Sequence, residues 1–446
     1  MNAPIRRGAC PRLAAPMPTG DGFLARLLIA GTVGLDAMAG LCRSARRHGN
    51  GILEITSRGS LQIRGLTATS AAVLADDVAV LDIDAVDGVP VVTDPLSGLD
   101  PMEAADAGEL AATLRAALAA EPLRLDHKIT VAIDGGGTLG LDLLRSDVRL
   151  RAVADRGAIL WHVAVGGTAD KSCALGVAQP RHAVEVVTRL LRTVAAYGPA
   201  ARAVDLMRSK DDSLRRAVAG LVAAAPSPPL RRPVDAVALH VVRDGRVALG
   251  LGLPFGHARA AELECLIDAA RAAGASGVRT APGRVLLFVG LAPTAAEDLR
   301  AAAARLGFVI RPDDPRRFVV ACAGAPICGS ATVPAREIAA AVAATAAPLL
   351  DGSVTVHLSG CPKGCAHPNA ATLTFVGTDD GCGLVVGGSA RDRPAGAVAA
   401  DAVPAAVGHV AAEMVRARRP GETSADVLAR IGAAQVAAIV AEAHHV

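Results

Sequence analysis

Two stretches, Cys322-Ala-Gly-Ala-Pro-Ile-Cys328 and Ser359-Gly-Cys361-Pro-Lys-Gly-Cys365, decide how this chain is read. Glycine and proline let each segment turn tightly, so cysteine pairs at x5 and x3 spacing can bring their sulfurs together. The 32 residues between Cys328 and Cys361 carry the pattern of a helix followed by a strand. Four thiolates on two such loops suit a cubane iron-sulfur cluster. Structural zinc sites usually show tighter Cys-x2-Cys pairs, and unligated thiols buried in a core are a third reading. Cys10, Cys42, Cys173, Cys265 and Cys382 stand singly and are expected to be inert structural thiols.

Outward from these turns the chain repeats itself. Displaced by 225 residues, Leu41 to Leu66 lies over Leu266 to Leu291 without gaps, with identities at Leu41, Ala45, Arg46, Gly49, Leu61, Gly65 and Leu66. The same offset lays Leu125-Asp-His-Lys-Ile-Thr-Val-Ala-Ile-Asp-Gly135 over Leu350-Asp-Gly-Ser-Val-Thr-Val-His-Leu-Ser-Gly360. One offset in two separate windows points to an internal duplication.

Each copy has a smaller part, about 19–80 and 234–300, and a larger part, about 85–222 and 315–446. The smaller parts predict a strand, a helix (Gly34 to His48; Ala258 to Ala273) and two strands around Ser57-Arg-Gly-Ser and Ala281-Pro-Gly-Arg. The larger parts mix Ala-rich helices with strands such as Ile129 to Ile133 and Val354 to Leu358. Between the copies, the four prolines of Ala223-Ala-Ala-Pro-Ser-Pro-Pro-Leu-Arg-Arg-Pro233 prevent a continuous helix or central strand. Where the second copy turns through Gly360 to Cys365, the first turns through Gly135-Gly-Gly-Thr-Leu-Gly140, without cysteine.

At 446 residues and 52% hydrophobic composition, two or more cored domains are expected. A net charge of +3 and 2% aromatic residues describe no nucleic-acid binder. Met1 to Pro18 has three arginines, but Pro11, Pro16 and Pro18 break its apolar residues, so it reads as neither signal peptide nor anchor. No window has the apolar length of a membrane span. An oxygen-labile cluster suits a reducing interior, which makes the expectation cytoplasmic. Only Lys128, Lys171, Lys210 and Lys363 are lysines among 46 basic residues, and two of them, Lys128 and Lys363, sit in motifs.

Duplication, the cysteine motif in the second half and an arginine-bearing strand turn together resemble the sirohaem nitrite and sulfite reductase family, over nearly the whole chain. The resemblance implies an α+β fold: two ferredoxin-like half-domains and two larger α/β domains, related by pseudo-twofold symmetry. It makes Cys322, Cys328, Cys361 and Cys365 the ligands of a 4Fe-4S cluster, the last of which, in the reductases, also bridges to the sirohaem iron. Thr56-Ser-Arg-Gly-Ser-Leu-Gln-Ile-Arg-Gly65 looks like the family's active-site strand, with Arg58 matching an arginine that faces the reacting centre. Alternation places Arg58, Gln62 and Arg64 on one strand face if no bulge intervenes; the plain alternative is the solvated face of an edge strand. Anionic tetrapyrroles call for Arg forks and Lys point charges. Arg58, Gln62, Arg64, Lys128 and Lys363 are therefore candidate substrate-binding residues, and Arg58, Lys128 and His367 candidate catalytic ones.

Departures from the reductase pattern narrow the resemblance. Those enzymes show a Lys-x-Lys strand, whereas Thr130 follows Lys128 here; an upstream Arg is replaced by Val89 and Pro90; and Cys365-Ala-His367-Pro368 stands for Cys-Ala-Arg-Pro. Ala9-Cys-Pro-Arg12, Thr56 to Gly65, Ile133-Asp-Gly-Gly-Gly137 and Ser359 to Pro368, in this order, resemble the precorrin-3B synthases of aerobic cobalamin biosynthesis. That branch implies a monooxygenase with precorrin-3A and dioxygen as substrates and NADH or a reductase/ferredoxin as electron donor. It further implies a mononuclear non-haem iron beside the cluster, with His367, His357 and His127 as candidate ligands. The rival readings are a sirohaem-dependent sulfite or nitrite reductase and a non-catalytic iron-sulfur electron-transfer or sensing protein.

Overall fold

The computed structural model describes residues 11–209 and 212–442; Cys10 and Lys210 lie outside them. Near the N-terminus, Met17–Thr19, Gly22–Ile29, Leu61–Leu66 and Ile52–Ile55 form a sheet in that order, backed by helices Leu35–His48 and Ala68–Val80. Leu53, Ile55, Leu61 and Ile63 alternate inward and are fully buried or nearly so. Thr67 starts the second helix with a capping box, its hydroxyl and that of Ser70 each accepting the other's backbone N–H.

The second half repeats this order with Leu239–Val241, Val247–Gly252, Val285–Leu291 and Gly277–Ala281, and helices Ala260–Ala272 and Pro293–Arg305. Both units share one core, in which Leu41 and Leu53 meet Leu249, Leu266 and Phe288. The second helix of the expected repeat begins two residues later than the pattern predicts. Ala258 belongs instead to a short strand, His257–Arg259, that pairs antiparallel with Ile52–Glu54 of the first sheet. In return, Val33 bridges to Val278 of the second unit.

The larger sheets also match. Val91–Thr93, Val131–Asp134 and Val148–Asp155 pair in parallel, and then Ala158–Val165 and Cys173–Ala178 continue antiparallel. Val319–Ala321, Val356–Ser359, Ala371–Thr378, Gly381–Gly388 and Gly396–Val398 follow the same scheme. The central parallel strands are buried along their whole length, which is why they read as continuous apolar runs. Val356 and Leu358 face the core beneath helices Ala335–Thr345 and Val403–Ala417, so His357 and Ser359 face the opposite way. After Val222–Ala223 the proline-rich linker has no regular structure. Among the described residues no single helix is long and apolar enough to cross a membrane; the bent pair Ser424–Ile431 and Ala433–Glu442 buries Val427, Leu428, Val436 and Val440 in the core.

Candidate functional site

The cysteine loops follow the ends of Val319–Ala321 and Val356–Ser359, two adjacent parallel strands, so the topology delivers both to one edge of the sheet. Cross-bonds lock them together. Cys322 N–H donates to Leu358 O at 3.2 Å, Thr332 N–H to Gly360 O at 2.9 Å, and Lys363 Nζ to Ser330 Oγ at 2.8 Å. Cys322 Sγ accepts the N–H of Gly360 at 3.1 Å. Burial pushes the Cys322 and Cys365 thiols up, Cys361 and Cys328 push both further, and Cys322 adds to the rise at Cys365. Cys328 and Cys361 thus act electrostatically on Cys322 and Cys365 across the two loops. Among the described residues no three His, Cys, Asp or Glu side chains converge on a single ion. A cubane, whose own sulfides fill the space between its ligands, accepts thiols spread more widely, and backbone N–H donors to sulfur belong to such sites. The donor set therefore fits a 4Fe-4S cluster.

His357 lies beneath the second loop, fully buried, with neither ring nitrogen partnered. Its pKa is pushed down to about 4 by burial, helped by His367 and Arg284. The His357 and His367 rings meet edge to face with centroids 5.6 Å apart, and His367 Nε2 lies 3.1 Å from Ala370 O. Among the described residues these two imidazoles have no third His, Cys, Asp or Glu side chain converging with them, so the described side chains do not fit the full sphere that a mononuclear iron takes. His127 lies on the strand approach of the other half, its Nε2 buried and unpartnered.

Arg58 is not on a strand face. It sits exposed in the turn between Ile52–Ile55 and Leu61–Leu66, and only Gln62 and Arg64 share the strand. Turn chemistry at Thr56, whose hydroxyl accepts the N–H groups of Arg58 and Ser60, closes the hairpin there and takes Arg58 out of the strand alternation. Gln62 and Arg64 are buried and engaged. Arg64 Nε is 3.3 Å from Asp21 and its Nη1 is 3.8 Å from Glu54. Gln62, with its amide oriented by this network, donates to Glu54 at 3.0 Å and accepts from Arg26 at 2.8 Å. Arg336, from the helix after the first cysteine loop, also bonds Glu54. Lys128 is half-buried, its N–H donating to Asp126 at 2.8 Å, and Thr130 is buried with its N–H on Asp147.

A cavity of about 470 Å³, partly open to solvent, lies against Arg58 and is lined by Arg115, Arg279, Asp94, Val91 and Val92; Lys128 does not reach it. Arg279 is aimed by Thr32 Oγ1 at 2.6 Å and by the carbonyl of Ser97 at 2.7 Å. Burial pushes Asp94 up to about 7, despite the Gly135 N–H that it accepts, with Asp134 and Glu103 adding repulsion. The Arg58 turn docks on the turn of the second unit: Gly283 N–H donates to Ser57 O at 3.1 Å, and a Cβ on Gly59 would meet Ala281 C at 2.9 Å. Arg284 follows in that turn and bears electrostatically on His357. The Ala281 to Arg284 turn thus lies between the cation-lined cavity and the surroundings of His357, the strand residue beneath the second cysteine loop. Arg115 and Arg279 carry no motif and no spacing rule in the sequence picks them out, while Arg284 stands in the Ala281-Pro-Gly-Arg turn, which the sequence marks for its turn chemistry alone.

Residues 15–80 match the family model described as the nitrite/sulfite reductase ferredoxin-like half domain. The chain is 29% identical over 173 residues to a sulfite reductase [ferredoxin] of Mycobacterium tuberculosis, covering 36% of this chain and 31% of that one. The solved structure of the Mycobacterium tuberculosis NirA protein superposes with a TM-score of 0.76 at 19% identity, over 93% of this chain and 84% of the other, which establishes the shared fold. A precorrin-3B synthase of Sinorhizobium sp is 38% identical over 439 residues, 98% of this chain and 95% of that protein. With agreement of that extent along essentially the full length of both chains, and with this fold beneath it, the chain belongs to the precorrin-3B synthase family.

Proposed function

We propose that the chain is an oxygen-dependent monooxygenase acting as a precorrin-3B synthase in aerobic cobalamin biosynthesis. It hydroxylates the meso carbon of precorrin-3A between rings D and A, and a ring A acetate then closes a γ-lactone. One oxygen atom enters the tetrapyrrole and the other leaves as water, with two electrons and two protons drawn from NADH or a reductase/ferredoxin. The observation that supports this reading is the cation-lined cavity, joined through the Ala281 to Arg284 turn to the surroundings of His357 beneath the second cysteine loop. Positions where the reductases keep further cations are given to packing instead, Thr130 and Val89 joining buried surroundings.

When bound to Cys322, Cys328, Cys361 and Cys365, a 4Fe-4S cluster supplies electrons one at a time. The chain's residues do the rest of the positioning. Arg58, Arg115 and Arg279 present guanidinium forks to substrate carboxylates and fix the ring edge in the cavity. Val91 and Val92 exclude water from the same wall. Asp94, poised near neutrality, holds or releases a proton at its carboxylate beside the bound edge. The divisions 19–80, 85–222, 234–300 and 315–446 serve as domains in this reading, and a cytoplasmic setting suits the cluster.

The test supplies reduced, anaerobically purified enzyme with precorrin-3A under isotopically labelled dioxygen and weighs the product. One labelled oxygen per product supports the assignment. Sirohaem absorption in the purified protein, with brisk sulfite or nitrite reduction and no oxidised tetrapyrrole, returns it to the reductases.

A further inference from the structure

The first half has no cysteines at the turn that follows Val131–Asp134, yet this turn is not idle. Beside it lies a cavity of about 360 Å³, partly open to solvent, roofed by the proline-rich linker through Ser227, Pro228 and Arg231. Its charged lining is Asp134, Asp142, Arg149, Arg151 and Arg231, with His162. Arg231 satisfies both carboxylates: Nε lies 2.9 Å from Asp142 Oδ2 and Nη1 lies 3.0 Å from Asp134 Oδ1. Arg151 stands 3.7 Å from Asp142 Oδ1, which makes no hydrogen bond, and donates Nη1 to Pro229 O at 2.9 Å. Arg149 reaches no carboxylate; its two Nη atoms go to the carbonyls of Leu141 and Leu144.

Among the side chains that line the cavity three guanidinium groups face two carboxylates, an excess of one positive charge, and the Asp170 carboxylate, which Arg149 also influences, stands exposed outside the lining. Three nitrogens that can donate into it, Arg149 Nε, Arg151 Nε and His162 Nε2, are buried without a partner. Arg149 and His162 are each only 5% exposed. A buried, unneutralised guanidinium and orphaned donors are costly unless something accepts from them. Charge and donors ask for the same thing: a small group with negative charge and several acceptor oxygens.

We propose that this cavity is a binding site for a small inorganic oxyanion, phosphate or sulfate, held by Arg149, Arg151 and His162 under the linker. It is separate from the cysteine loops, which lie on the other half of the fold. Where the second half is organised around thiols, the first is organised around an anion.

Binding is read by isothermal titration calorimetry together with thermal unfolding. The full-length protein is titrated with inorganic phosphate and, separately, with sulfate, in chloride buffer held at constant ionic strength. The expected result is saturable, one-site binding with a rise in thermal stability, and the relative affinities identify the preferred anion. His162→Gln and Arg151→Gln each weaken binding about tenfold or more, the loss of one charge-assisted or buried donor. Arg311→Gln, in an exposed pair with Asp313, binds as the native protein does. If one cavity variant does not fold, the other decides. Non-saturable binding of both anions, or unchanged affinity in a folded cavity variant, overturns the proposal.

Discussion

Gly20→Ala tests whether the N-terminal hairpin clamps the cysteine pocket. Gly20 lies in the turn between Met17–Thr19 and Gly22–Ile29, and a Cβ there would stand 1.7 Å from Gly329 N and 2.7 Å from Cys328 C. Carbon contacts are comfortable at about 3.5–4.0 Å, so the two backbones must part by roughly 1.5–2 Å. Overpacking costs about 1–3 kcal/mol, and no rotating side chain relieves it here, which puts the substitution at about 3 kcal/mol. The displaced segment carries Cys328, so the thiol pocket opens as well. The assay is iron and sulfide content with visible absorption, alongside urea denaturation of the same preparations. Gly34→Ala is the control: nothing lies within 4 Å of its Cβ, and the change at a helix N-cap costs about 1 kcal/mol or less. A Gly20→Ala protein with full iron content and native denaturation midpoint would refute the clamp.

Cys361→Ser strips most of the iron, whereas Cys173→Ser, on a strand of the other half, retains it; the reverse pattern in an iron assay sinks the ligand assignment. Arg58→Ala and Arg279→Ala weaken tetrapyrrole binding with an unchanged cluster spectrum, and native affinity in both places these side chains outside substrate recognition. Glu54→Gln leaves Arg64 and Arg336 without their shared carboxylate and lowers stability by about 3 kcal/mol, read by urea denaturation. Asp94, raised from 3.8 to about 7, favours the folded state only while protonated, so stability falls as pH climbs through that window. Asp94→Asn removes that part of the slope, and an unaltered pH dependence of unfolding counts against the raised carboxyl.

Legibility in the sequence tracked how local the chemistry is. The two cysteine pairs were readable because each sits within one short turn, and parallel neighbouring strands bring such turns together. Arg58 was found through its motif, but its place off the strand was missed, since Thr56 closes the hairpin through side-chain bonds that alternation does not encode. Gln62 and Arg64 share a face as alternation predicts, yet they are occupied by Glu54, Asp21 and Arg26. That fate depends on how the hairpin and the helix bearing Arg336 dock.

By itself, then, the sequence carried the expectations of a repeat, a four-cysteine donor set and a linker, all of which are written in contiguous residues or a constant offset. Only the tertiary structure decided the exchange of His257–Arg259 into the first sheet, the cavity of Arg58, Arg115, Arg279 and Asp94, and the isolation of His357. These join residues far apart in the chain, and burial, which sets the Asp94 and His357 pKa values, belongs to the packed molecule and to no segment of it.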